Sequence, residues 1–318
     1  MMTFEEAVEA IAHARTIDDL GSDAQRTYRM LIKIVHPDVA PAGRGAAATQ
    51  AAARLSALLS PDPEFVTRKA RYRLGEVLAS GDIGDVIALD DDKVLKFPGD
   101  PGDNDLMRSE ATALETLERD GDPRHRAYAP RLIETFTHED EDGTRRTANV
   151  LQRLDGFVSL AGLEHRLDPR DVAWMWRRLL TGLGWAHRTG LVHGAVLPEH
   201  VLIHPGDHGV VLVDWCYSVP EGGIVAAIVT RHRDAYPREI LTKQPATAAT
   251  DIFMATGLML RLIDNPPEPM RRFAAGCRFD APRMRPQDAW QLLAELDELL
   301  FDLYGPRRFR PFALPATR

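Results

Sequence analysis

Two changes of hydrophobic period divide this chain into three stretches, and no one regular architecture accommodates all of them. Residues 3–59 keep the helical period in "TFEEAVEAIAHA", "SDAQRTYRMLIKIV" and "AAATQAAARLSALLS", separated by turn-like pieces. In the second of these, Tyr28, Leu31, Ile32 and Val35 recur at i, i+3, i+4 and i+7, one apolar stripe for burial, while Arg26, Arg29 and Lys33 fall on the other face. "SPDPE" at 60–64 breaks the pattern. From Tyr72 the period becomes two: "YRLGEVLASGDIGDVIALDDDKVLKFP" predicts three consecutive antiparallel strands turning at Gly and Asp. A helix is predicted around "DLMRSEATALETLERD", then a hairpin with an exposed acidic tip in "RLIETFTHEDEDGTRRTANVLQRL". The remainder reads as helix interrupted by the short strands "HVLI" and "VVLVD", with Trp174, Trp176 and Trp185 of one long amphipathic helix expected in the core. The expected organisation is a helical module over 1–62, a linker over 63–71, an α+β domain over 72–304 and a basic, proline-interrupted tail over 305–318.

A chain of 318 residues builds such cores without covalent staples. Cys216 and Cys277 show no metal-ligand spacing and no disulfide framework is expected. A net charge of -8 supplies no general field for nucleic acid or an anionic membrane, so no nucleic-acid partner is expected. "MMTFEEAVEAIAHAR" is acidic and amphipathic where a secretory leader is basic and then apolar, and no uninterrupted apolar run of about 18 residues occurs. The expectation is a cytoplasmic protein with no membrane span. His193, His200, His204 and His208 crowd one stretch, but strand and turn assignments there do not gather the rings, so no zinc is expected, and no haem.

"IVHPDVAP" places His36, Pro37 and Asp38 in the loop after the helix with the basic face and before an Ala/Leu-rich helix. Over about the first 60 residues this resembles a J-domain, the module of DnaJ-type co-chaperones. The resemblance implies that His36, Pro37, Asp38, Arg26, Arg29 and Lys33 contact a DnaK-type chaperone and stimulate its ATPase. Pro37 would fix the loop geometry, Asp38 would offer a carboxylate to arginines, and the basic residues would attract an acidic surface.

Further on, Gly81 and Gly84 lie in a hairpin followed by Val86, Lys96 sits inside an apolar strand, and Glu110 on the next helix is its natural partner, because a buried ammonium without one is costly. "GLVHGAVLPEHVLI" and "VVLVDWC" follow, with His193 and Asp214. In this order the elements of 72–304 resemble the protein-kinase-like fold: an antiparallel-sheet N-lobe and a mainly helical C-lobe. The resemblance implies an ATP site in which Gly81, Gly84, Val86 and the "LQRLDG" hinge from Leu151 surround the nucleotide, Lys96 paired with Glu110 holds phosphates, and Asp214 binds Mg2+. It also implies a structural role for His193, a bracing pair of Glu239 with Arg285, and Asp251 as anchor of the His193 loop.

The departures fall where the chemistry would occur. Set on the HRDLKPEN pattern, "HGAVLPEH" has Ala195 for the catalytic aspartate, Leu197 for the lysine and His200 for the metal-binding asparagine. Ala79 stands at the first glycine position, and Cys216 replaces the glycine of DFG. The segment from Tyr217 to Ala235 is short, and a substrate-docking helix is expected to be missing between Asp251 and Pro286. Alanine cannot accept a substrate proton, and a neutral imidazole is a poor ligand for a hard cation. The expected function is a J-domain pseudokinase, an adaptor that recruits a DnaK-type chaperone to a client or signalling partner and is gated by ATP. Two alternatives stand beside it: an atypical kinase with Glu199 or His200 as substitute base, and a purely structural module.

Overall fold

The computed structural model describes residues 2–314 apart from 15, 37–39, 42–43, 60–63, 90–91, 141 and 164. The chain divides into two compact units, Met1–Glu76 and Val77–Arg318.

Helices α1 (Phe4–His13), α2 (Ala24–Val35) and α3 (Gly45–Leu59) build the first unit. Thr3 and Glu6 form a reciprocal capping box at the start of α1, and the Asp23 carboxylate accepts the Arg26 N–H at the start of α2. Ala7 and Ile11, Leu31 and Val35, and Ala51 and Leu55 make one buried cluster, with Tyr28 and Ile32 packed against it. Arg26, Arg29 and Lys33 are exposed. His36, also exposed, ends α2 with an extended backbone, and Pro37 and Asp38 lie outside the described residues. The stretch expected as linker contains a strand, β1 (Glu64–Val66), paired antiparallel with the start of β2 (Arg71–Ser80). The Thr67 hydroxyl closes the turn between them by accepting the N–H groups of Lys69 and Ala70, a local signal that the Pro-rich run before it obscures.

β2 crosses the unit boundary. From its 77–80 end, the sheet of the second unit runs β2–β3–β4–β6–β5, with β3 (Gly84–Leu89), β4 (Lys93–Pro98), β5 (Leu132–Glu139) and β6 (Arg145–Gln152). β3 pairs antiparallel with β4, β4 with β6, and β6 with β5. The register sets Val86, Lys96 and Asn149 in one row across β3, β4 and β6, which puts their side chains on one face. Between β4 and β5, α4 (Asn104–Asp120) buries Met107, Glu110, Leu114 and Leu117.

Beyond β6, β7 (Val158–Ser159), β9 (Val201–His204) and β10 (Gly209–Leu212) form a small sheet, and β8 (Leu191–Val192) pairs with β11 (Val219–Pro220). α5 (Pro169–Arg188) runs through the centre of the helical half, with Trp176, Leu179, Leu180 and Leu183 fully buried and Trp174 and Trp185 also in the core. α6 (Arg238–Leu241), α7 (Ala248–Leu262), α8 (Glu268–Gly276) and α9 (Ala289–Tyr304) complete it. The stretch from 251 to 286 therefore holds most of α7 and the nine-residue α8. The tail lies along α5: Arg310 pairs with Asp168 and Asp171, and Phe312 sets its edge against Trp174. This is an α+β arrangement, a mainly antiparallel sheet with a largely helical half after it. Among the described residues no helix is long and apolar enough to cross a membrane.

Candidate functional site

Lys96 is buried on β4, and its Nζ donates to Oε1 of Glu110 at 2.9 Å and to Oδ1 of Asp214. Burial works against the ammonium, but the charge of Asp214 foremost, with Glu110, outweighs it and holds Lys96 well above the usual lysine value. Glu110 is fixed by a residue that the sequence reading missed: Asn149, wholly buried on β6, donates to Oε2 of Glu110 at 3.0 Å and to the Met107 carbonyl. A polar residue inside the apolar run "ANVL" was its only signal.

Asp214 adopts a left-handed backbone (φ +62°), a conformation that aspartate tolerates better than most residues. Lys96 and His200 overcome the effect of burial and hold its carboxyl well below the usual range. Trp215, fully buried, donates its indole N–H to the Leu212 carbonyl, and the Cys216 thiol lies 3.7 Å from Lys96 Nζ. Burial pushes that thiol's pKa up, so it sits there neutral.

The loop from His193 to His200 is suspended from Asp251 of α7. Its Oδ2 accepts the His193 N–H at 2.8 Å, its Oδ1 accepts the Gly194 N–H at 2.9 Å, and His187 of α5 bonds Oδ2 as well. Gly194 has φ +76°, and a Cβ there would lie 2.8 Å from the Tyr217 carbonyl, so no side chain fits. The His193 Nε2–H donates to the Val213 carbonyl, and Nδ1 accepts the Ala195 N–H; burial pushes the imidazole pKa down to about 4, which keeps it neutral. Ala195 and Leu197 are wholly buried. His200 Nδ1 donates to the Ala195 carbonyl at 2.8 Å, while Nε2 stands 3.2 Å from Oδ2 of Asp214 and the Tyr217 ring stacks on the imidazole. The Glu239–Arg285 pair is sealed farther into the helices at 2.6 Å, with Arg285 over the Phe253 ring.

A cleft of ≈ 120 Å³ opens above this group, lined by Ala79, Gly81, Gly84, Val86, Lys96, His200 and Asp214 among others. Gly81 donates its N–H to the Gly84 carbonyl to close the hairpin tip. Gly84 has a packing reason as well as a position: a Cβ would run into the backbone of Phe97 and Pro98 on β4. Leu151 is buried in β6 away from this lining, and the Gln152 and Arg153 N–H groups are given to the Arg131 and Asp92 carbonyls. The stretch expected as a hinge therefore does not line this cleft. Glu199 and Arg231 stand at its mouth. Glu199 Oε1 accepts from Arg231 at 2.6 Å and from His232 at 2.7 Å, and Arg231 also bonds Asp82 of the hairpin tip. Burial raises the Glu199 carboxyl, but its own backbone N–H and the Arg231 guanidinium prevail and hold it below the usual value.

Magnesium does not suit this donor set. Oδ1 of Asp214 is taken by Lys96 and Oδ2 by His200, the other groups beside it are an imidazole and the Cys216 thiol, and Mg2+ demands octahedral oxygen ligands. Among the described residues no group of three or more His, Cys, Asp or Glu converges to hold a metal.

No protein-family profile matches the chain. Serine/threonine-protein kinase PknA of Mycobacterium tuberculosis is 29% identical over 153 residues, 44% of this chain and 34% of that protein. Serine/threonine-protein kinase D of Synechocystis sp. is 25% identical over 162 residues, 46% of this chain and 30% of that protein. The chain spans about a third of the length of these curated relatives. It is kinase-like, on a likeness that covers less than half of it.

Proposed function

We propose that the second unit is a pseudokinase, a nucleotide-binding module that transfers phosphate slowly or not at all. One observation carries this reading: Lys96, Glu110 and Asp214 are joined at the cleft, while the position expected for the catalytic acid is a buried alanine whose carbonyl is tied to His200. Phosphoryl transfer depends on positioning and electrostatics, and here the group that orients the acceptor hydroxyl is gone. Calorimetric titration of ATP into the full chain tests it. Binding lost in Lys96→Ala, with no ATP-derived label on the chain or on added protein, supports the reading; rapid label transfer or no binding at all overturns it.

A second reading, slow catalysis with Glu199 as base, draws on one feature: Glu199 Oε2 is buried without a hydrogen-bond partner, so one oxygen is not committed to Arg231. Its lowered pKa makes it a weak base, and label that disappears in Glu199→Gln would favour it.

For the first unit, the reading is a J-like module that recruits a DnaK-type chaperone to a client or signalling partner held by the second. The basic exposed face of α2 and the exposed His36 at its end support it. The full chain should raise the chaperone's ATPase rate, and His36→Gln should remove the rise; a flat response in the unaltered chain sinks this part.

A further inference from the structure

We propose that the cleft takes a nucleoside polyphosphate without a divalent metal, with Arg231 supplying the phosphate-holding cation that the His193 loop lacks. This rests on the nucleotide-binding reading above. The loop's own candidate, Leu197, is apolar and wholly buried, so that position sends no charge into the cleft. Arg231 arrives from a later segment and lines the cleft with Lys96 and His200. Its Nε and Nη2 hold Glu199 at 3.1 Å and 2.6 Å, and its Nη1 holds Asp82, so one guanidinium links the hairpin tip to the loop across the mouth. The chain behind it is fixed, since Val229 is buried and donates its N–H to the Tyr236 hydroxyl. The side chain itself is 53% exposed, so solvent and a ligand can reach it.

The two kinds of charged visitor meet different obstacles. A phosphate reaching Arg231 displaces the Glu199 and Asp82 carboxylates from a cation already present at the mouth, and the planar guanidinium fork matches two phosphate oxygens. A divalent cation reaching Asp214 must expel both Lys96 and His200 from its oxygens, then accept one carboxylate and an imidazole as its protein ligands. The cleft is therefore built to receive the anion and to refuse the metal.

The experiment is calorimetry of ATP with the full chain in EDTA and again in excess Mg2+, for the unaltered protein, Arg231→Ala, Arg231→Lys and His200→Asn. The affinity in EDTA should equal or exceed that in Mg2+, because the metal masks the charge that Arg231 reads. Arg231→Ala should weaken ATP roughly 10–100-fold, as for loss of a charged hydrogen bond, and leave AMP within about threefold; Arg231→Lys should fall between. His200→Asn, which frees one oxygen of Asp214 and adds another, should make binding stronger in Mg2+ than in EDTA. Binding that appears only with Mg2+ overturns the inference and spares the nucleotide-binding reading. Undiminished ATP affinity in Arg231→Ala overturns the role of Arg231. No heat in either buffer from folded protein overturns the nucleotide-binding reading, and the inference with it.

Discussion

The two sides of the His193 loop are held by different means. Toward the helices it hangs from a buried carboxylate, Asp251, with the Glu239–Arg285 pair sealed nearby, and each charge there meets a fixed partner. Toward the cleft, Ala195 and Leu197 are apolar and buried, His200 is turned back onto the loop, and of the charges there Lys96 and Glu110 are buried while Asp214, Glu199 and Arg231 are partly exposed. Bracing and chemistry are thus separable in this fold. A loop keeps its course when its N–H groups keep their acceptor, whatever stands at the position that would face a substrate.

Substitutions on the two sides should differ accordingly. Arg285→Ala leaves Glu239 buried without its cation and should cost about 4–5 kcal/mol in urea unfolding of the full chain; a cost below about 1 kcal/mol would remove the distinction between the sides. Ala195→Asp supplies the acid that the proposed reading finds lacking, yet it buries a carboxylate where the structure leaves no solvent. It should cost about 3–4 kcal/mol and yield no ATP-derived label, and label would show that chemistry can be returned by one residue. His193 offers a pH test. Its folded pKa of about 4 lies below an unfolded value of about 6.5, so the folded state binds fewer protons; its stabilisation is complete above about pH 6.5 and is lost as the pH falls toward 4. Unfolding midpoints in urea should report a loss of about 3 kcal/mol across that window, and His193→Asn should flatten it. On the cleft side, Arg231→Ala should change the stability of the ligand-free chain by no more than about 1 kcal/mol, since an exposed ion pair contributes little; a larger drop would make Arg231 a brace.

Much of this arrangement was legible residue by residue. Lys96 in an apolar strand, Glu110 on an otherwise apolar helix face and Asp214 at the end of "VVLVD" each announce a buried charge that needs a partner, and chain order suggests which. The three-strand run from Tyr72 was readable from its period, as were the helix after it and the hairpin around the acidic tip. The partners that complete the site were not. Asn149 on Glu110, His187 on Asp251, and Arg231 with His232 on Glu199 join residues 32 to 64 positions apart, and nothing in a strand or turn pattern encodes such meetings. β1 was hidden for a related reason: three residues next to a Pro-rich run carry too little period to register.

The sequence by itself determined the kinds of element, the order of the charged residues and the presence of an alanine at position 195, because periodicity and side-chain chemistry are local properties. Tertiary structure alone decided which charges neutralise one another. Asp214 could have faced a metal or solvent, and it faces Lys96 and His200 because the row across β3, β4 and β6, the left-handed turn at Asp214 and the folded-back His200 bring an ammonium and an imidazole to its two oxygens.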